Sequence, residues 1–244
     1  MRLDVYLVQN HNIKTRNIAK QYIENGYVLV NDVVCYKPSL EIEGQIVKII
    51  NNLKYVSRAG YKLEAALKKW NINIENKIVL DIGASTGGFS DCCIQNGAKL
   101  VFALDVGTNQ LDPKLLESKK IVNLSNTNIK DVNKNLISDT IEFIVSDLSF
   151  ISSKFMFESL KNINIKNGSY LISLIKPQFE LNKEILNKNK GKVIDQKYHD
   201  LAIKKVVEYA KNNYCQVIDI MESPLLGAKK QNKEFLIWCK YEKK

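Results

Sequence analysis

Arginine is nearly absent from this 244-residue chain: Arg2, Arg16 and Arg58 are the only three. Histidine is rarer still, with His11 and His199 far apart in the sequence. The five cysteines, at 35, 92, 93, 215 and 239, include no C-x-x-C pair. An odd count without that spacing argues against a disulfide framework and against a zinc site. It reads as reduced, mostly buried thiols in a cytosolic protein, and no metal is expected. No apolar run approaches the roughly 18 residues of a membrane span. The opening Met-Arg-Leu-Asp-Val-Tyr lacks the apolar centre of a signal peptide. A cytoplasmic location is therefore expected.

What is present points elsewhere. A hydrophobic fraction of 45% is enough for a real core. The length allows one large domain, or an ordinary domain with a small one beside it. Net charge is +10, almost all of the positive charge being lysine. A basic chain of this kind suits a polyanion, nucleic acid before membrane, although a Lys- and Asn-rich habit across a whole genome would dilute that signal.

The chain is organised around residues 78–91, Ile-Val-Leu-Asp-Ile-Gly-Ala-Ser-Thr-Gly-Gly-Phe-Ser-Asp. A short apolar run ends at Gly83, small residues follow to Gly88, and apolar-periodic positions Phe89, Cys92 and Cys93 begin a helix. Strand, glycine turn and helix form the first unit of a doubly wound sheet, whose ligand lies at the strand's carboxyl end. Gly83, Gly87 and Gly88 would let that ligand approach the backbone. A dinucleotide fingerprint, G-x-G-x-x-G, fits poorly because Ser85 holds the second glycine position. A cationic, nucleoside-bearing cofactor such as S-adenosylmethionine needs no pyrophosphate cradle, and Asp81 and Asp91 suit it. A purely structural turn is the plain alternative.

Before that segment lies a small module. Leu3, Tyr6 and Leu7 make one apolar helical face, with Arg2 and Asp4 outside it. A second helix runs from about Thr15, an N-cap, through Ile18, Ala19, Tyr22 and Ile23 to Gly26. Val28–Val30, the turn Asn31-Asp32, Val33–Tyr36 and a further strand over 45–50 complete a minimal α+β core. Arg16 and Lys20, four apart, share a helix face that could track a phosphate backbone or be merely solvated. As a spaced set, Arg2-Leu-Asp, Thr15-Arg16, Ala19, Ile23, Gly26, Val28, Val30-Asn31 and Lys37-Pro38 resembles the RNA-binding domain first known from ribosomal protein S-four. The resemblance implies structured RNA as the partner, and the expected RNA contacts are Arg2, Arg16, Lys20, Asn31 and Lys37, with Arg58 beyond the module. That family has Gly where Asp32 stands. Residues 51–56 read as a linker.

The remainder, 57–244, alternates strands and helices. A helix covers about 59–70, with Arg58 and Lys62 able to share a face. Strands follow at 100–104 (ending in Asp105, an acid suited to a ribose diol), 121–124, 141–146 (ending at Asp147) and 170–175 (ending at Lys176). Residues 180–195 read as a mobile polar loop. A helix over 199–212 and two strands over 215–221 and 234–240 close the domain. The expected fold is an α/β, Rossmann-like parallel sheet with one antiparallel strand and a small α+β domain in front.

Several motifs then act together: Ser57-Arg-Ala-Gly-Tyr-Lys-Leu, Asp81-Ile-Gly-Ala-Ser-Thr-Gly-Gly-Phe, Asp105-Val-Gly, Thr127-Asn128, Ser146-Asp-Leu-Ser-Phe-Ile-Ser and Ile175-Lys-Pro-Gln-Phe-Glu. This set resembles the TlyA family, ribosomal RNA ribose 2′-O-methyltransferases with an FtsJ-like domain behind an S-four-type domain. The resemblance implies S-adenosylmethionine as cofactor and ribosomal RNA or ribosomal subunits as partner. It maps a Lys-Asp-Lys-Glu tetrad onto Lys62, Asp147, Lys176 and Glu234. It assigns cofactor contacts to Asp81, Gly83, Ser85, Gly87, Gly88, Phe89, Asp105, Asn128 and Asp147. Thr108-Asn109 replaces the family's Tyr-Gly, Gln231 replaces a glycine, and Lys192 and Asp195 stand where glycine and arginine are usual. Competing readings are an RNA-binding protein with lapsed catalysis, an activity matching the hemolysin name some TlyA proteins carry, and a nicotinamide-dependent oxidoreductase.

Overall fold

The computed structural model describes residues 1–13, 15–24, 26–50, 54–188, 191–227 and 231–243. The first three positions of the expected linker, 51–53, lie outside these. In the N-terminal module, α1 (Leu3–Asn10) and α2 (Arg16–Glu24) pack on a three-stranded antiparallel sheet. Its strands are β1 (Val28–Val30), β2 (Val33–Val34) and β3 (Val47–Ile49), with β1 in the centre. Leu3, Leu7, Ala19, Ile23, Val28 and Val47 form its core. Asn31 and Asp32 both take left-handed φ values, 50° and 63°. A tight hairpin needs that pair of conformations, and Asx residues tolerate them, so Asp32 serves where glycine is usual.

Behind it, α3 (Ala59–Lys69) precedes β4 (Ile78–Ile82), α4 (Gly88–Gln95), β5 (Leu100–Leu104), α5 (Pro113–Leu116) and β6 (Ile121–Leu124). Then come β7 (Ile141–Ser146), α6 (Lys154–Ser159), β8 (Ile165–Ile175), α7 (Pro177–Glu180), α8 (Lys183–Lys188), α9 (Gln196–Lys211), β9 (Cys215–Glu222) and β10 (Phe235–Tyr241). The seven strands stand in the order β6-β5-β4-β7-β8-β10-β9. β10 pairs antiparallel with both neighbours, and the other pairings are parallel.

The strands read as continuous apolar runs because both sheet faces are covered. Along β4, Val79 enters the core beneath α3 and α4, while Leu80 and Ile82 enter the core beneath α6 and α9. β10 alternates the same way through Leu236 and Ile237.

Two elements differ from expectation. β8 begins five residues before Tyr170, in a polar stretch that pairs Ile165 with Ile141 across a bulge. Gly168 at φ 85° supplies the backbone conformation there. The segment expected to be a mobile loop contains α8, which is fastened by Ile185 and Leu186 packing on Leu181, Val193 and Ala202. Two apolar residues in a polar run are too weak a periodic signal to reveal a helix.

Candidate active site

Strand order itself assembles the site. β4 lies beside β5 on one side and β7 on the other, so chain direction switches at its carboxyl end and leaves a crevice there. Ile82 pairs with Ser146, which sets Gly83 beside Asp147. Phe235 pairs with Ile175, which sets Glu234 opposite Lys176. Lys62 arrives from the second turn of α3, on the helix that covers this face. The result is a cavity of about 460 Å³ whose lining includes Lys62, Gly83, Ser85, Asp147, Lys176 and Glu234.

Four charged side chains meet on its floor as two ion pairs. Lys62 Nζ donates to Glu234 Oε2 at 2.6 Å, and Lys176 Nζ lies 2.5 Å from Asp147 Oδ1. Lys62, Lys176 and Glu234 are all buried. Burial pushes the Asp147 carboxyl up, but Lys176 and Lys62 outweigh it and hold it below its ordinary value. For Lys176, burial favours the neutral amine, and Asp147 and Glu234 outweigh that and keep the ammonium. Asp147 and Lys176 each stabilise the charged form of the other, as an isolated buried charge could not.

The glycine loop divides into two roles. Gly83 (φ 84°) lines the cavity, and a Cβ there would come within 3.0 Å of the Asp147 carbonyl oxygen. Ser85, at φ 48°, also faces the cavity, as does Phe89. Gly87 and Gly88 do not. A Cβ on Gly87 would sit 2.2 Å from Leu115 Cδ1, and one on Gly88 would sit 2.1 Å from Ser57 Oγ. They permit close packing of α5 and of the start of α3, rather than the approach of a ligand.

The acids differ similarly. Asp81 is fully buried beneath the loop and accepts from Ser90 Oγ at 2.6 Å, so it supports the cradle from below. Burial raises its carboxyl to about 7, with Asp147 and Asp105 adding to the rise against the Ser90 bonds. Asp91 accepts from the Val56 amide and from Gln95, tying the linker to α4 rather than facing a cofactor. Asp105 accepts from the amides of Ser85 and Gly107 and so sets the shape of the loop's outer edge. Asn128 accepts from the Lys130 amide, capping a 3₁₀ turn away from the cavity lining.

Among the lining residues outside the expected set, three touch the tetrad or its surroundings. Ser149 Oγ accepts from Lys176 at 2.7 Å. Gly227 lies against Glu234, where a Cβ would be 2.6 Å from its Oε1. Asn232 accepts from the Val193 amide and donates to the Gly191 carbonyl, holding that loop at the cavity edge. Ser149 and Asn232 carried a signal, the first standing two residues after Asp147 in the Ser-Asp-Leu-Ser-Phe motif and the second two residues before Glu234 in Asn-Lys-Glu-Phe.

The expected RNA contacts scatter more. Arg2 and Arg16 meet at Asp4, which is fully buried and accepts from Arg2 Nε (3.0 Å) and Arg16 Nη2 (3.0 Å). Asp4 is thus inside the module and not outside its apolar face, and it holds two half-exposed guanidinium groups together. Lys20 lies half-buried on the same helix as Arg16, and Lys37 is exposed. Asn31 is committed to its turn, its side chain accepting from the Ile46 amide. Arg58 is engaged in the seam between the domains: its guanidinium lies 4.1 Å over the Tyr36 ring and donates to the Leu226 carbonyl.

Known proteins share this organisation. A family profile described as FtsJ-like methyltransferase matches residues 55–241, and one described as S4 domain matches residues 1–45. Hemolysin A of Brachyspira hyodysenteriae is 40% identical over 238 residues, covering 94% of this chain and 95% of its own length. The 23S rRNA (cytidine-2′-O)-methyltransferase TlyA of Campylobacter jejuni is 35% identical over 216 residues, covering 81% and 83%. A solved structure from Streptococcus thermophilus, described as a hemolysin, superposes with a TM-score of 0.78 at 35% identity and covers 99% of this chain and 88% of its own. The chain belongs to the FtsJ-like methyltransferase family, carries an S4 domain at its N-terminus, and is homologous to TlyA.

Proposed function

With that membership as premise, we propose that the protein transfers the methyl group of S-adenosylmethionine to a ribose 2′-hydroxyl of ribosomal RNA, at a cytidine of the small or large subunit. The observation that carries the reading is the convergence of Lys62, Asp147, Lys176 and Glu234 at the switch point of the sheet. None of the four is replaced, so lapsed catalysis has nothing to favour it. The cavity fits the cofactor: Gly83 leaves the wall open where a Cβ would press on Asp147, Ser85 and Phe89 line the same wall, and Asp147 offers a carboxylate to a cation. S-adenosylmethionine supplies an activated methyl group on a sulfonium centre.

This chain's own residues would do the rest. Lys62 and Glu234 hold the ribose, and Lys176 holds the 2′-oxygen in line with the methyl carbon, an alignment that by itself can remove several kcal/mol of barrier. Lys176 rests as an ammonium. Asp147, when shared with a second cation, would hold the Lys176 proton less firmly, so that the ammonium releases it to solvent and the resulting neutral amine accepts the hydroxyl proton as transfer proceeds. Arg2 and Arg16, gathered by Asp4, together with Lys20 and Lys37, would grip RNA phosphates. A cytoplasmic location is part of the same proposal, since ribosomal RNA is the proposed substrate.

The test is nucleoside analysis of ribosomal RNA after incubation of purified subunits with the protein and S-adenosylmethionine. The expected product is 2′-O-methylcytidine, absent when protein is omitted. A methyl group found only on a base, or on neither subunit, would refute the proposal.

A further inference from the structure

An ammonium has three N–H donors and no acceptor. At Lys176 one of them is directed, to Ser149 Oγ at 2.7 Å, while Asp147 Oδ1 lies 2.5 Å from Nζ as its ion-pair partner. That single directed bond sets the rotation about the terminal C–N bond, so the directions of the other N–H groups are set as well, and Lys176 lines the cavity. We propose that Ser149 is a positioning residue for Lys176, aiming an N–H, and after proton loss the lone pair, at the substrate oxygen. This inference rests on the methyl-transfer reading above and adds to it a residue outside the tetrad.

Ser149 is itself an exposed residue on the loop after β7, and its hydroxyl could as easily face water. It is turned inward instead, and the loop that carries it is clamped. Glu180 is buried, with Oε2 accepting from Ser152 Oγ at 2.6 Å and Oε1 from the Ser153 amide at 2.8 Å. Glu180 ends α7, the short helix that starts immediately after Lys176. The loop after Asp147 and the helix after Lys176 are therefore joined twice, once through Ser149 and once through Glu180. That double junction adds to the β7–β8 pairing in holding Asp147 and Lys176 together. The charged groups facing Lys176 are Asp147 from the end of β7 and Glu234 from the approach to β10, and Lys62 from α3 faces Asp147.

The experiment is single-turnover methyl transfer to ribosomal subunits, at saturating cofactor and across the neutral-to-alkaline range, for the wild type, Ser149→Ala, Ser149→Thr and Glu180→Ala. Binding of S-adenosylmethionine is measured in parallel by calorimetry. Ser149→Ala should lower the plateau rate about tenfold or more through misalignment, with cofactor affinity unchanged. Its rate profile should also rise at lower pH, because the ammonium has lost an acceptor. Ser149→Thr, which keeps the hydroxyl, should restore both rate and profile. Glu180→Ala, which frees the loop, should reproduce the loss without losing cofactor. A Ser149→Ala enzyme with the wild-type rate and profile overturns the proposal, and so does one whose rate falls only because cofactor binding falls. A wild type that transfers nothing to either subunit would overturn the methyl-transfer reading itself, an outcome the variants do not mimic.

Discussion

Gln231 and Asn109 stand at φ 50° and 53°, and both occupy positions where the TlyA pattern has glycine. Left-handed backbone costs a residue with a Cβ about 1–2 kcal/mol, less for Asn, which explains the family's choice and makes this chain's departure a strain. Gln231→Gly should raise stability by about 1 kcal/mol, seen as a higher urea midpoint with unchanged slope. The sequence marked Gln231 as a departure from the family pattern, but the left-handed backbone that makes it a strain is seen only in the structure. Asp4 was hidden for a different reason. Periodicity registers apolar positions only, and the partners that let this carboxylate be buried lie at Arg2 and twelve residues on at Arg16. Burial pushes its carboxyl up, the two arginines outweigh that, and its pKa settles at about 2, below the unfolded value of 3.8. Its contribution is therefore complete above that unfolded value and is lost as pH falls toward 2. Asp4→Asn should flatten acid unfolding of the N-terminal module in that window, followed by circular dichroism.

At the scale of elements, β4 and its loop were legible because an apolar run, a glycine turn and a helix form one continuous signal. The division of labour inside the loop was not, since it depends on what α3 and α5 bring against it. Gly87→Ala should cost roughly 1–2 kcal/mol from its left-handed φ, and displacing Leu115 and Leu111 should add to that. Thermal unfolding checks this, and cofactor affinity should fall with it. Asp81 is the penultimate residue of the same strand, with its carboxyl raised to about 7. The folded state holds that proton more tightly than the unfolded chain does, so stability falls as pH rises from about 4 to 7. Asp81→Asn keeps an acceptor for Ser90 and should remove that slope, measured by urea midpoints on either side of the window. The tetrad shows the same limit at longer range. Each member's identity followed from a motif, but the meeting of Glu234 with Lys176 depends on β10 entering antiparallel beside β8.

For the whole molecule, the two domains touch where Arg58 lies between Tyr36 and Leu226 and where Tyr27 donates to the Val56 carbonyl. That seam removes Arg58 from the set of free cations. The cations of the S4 domain remain, and binding to ribosomal RNA should weaken steeply with salt. Arg16→Ala should reduce the slope of log K against log salt by about 1 if it meets one phosphate. Fold class and domain order were legible because strand and helix periodicities persist over long stretches, whereas the seam is made by single residues with no pattern. The most direct measurement of the central claim is transfer of a tritiated methyl group from S-adenosylmethionine to purified ribosomal subunits, comparing wild type with Lys176→Met. The account predicts alkali-resistant label in ribosomal RNA from the wild type, and a rate about 10²–10⁴ lower in the variant with cofactor binding retained. Equal label from the two proteins would contradict it.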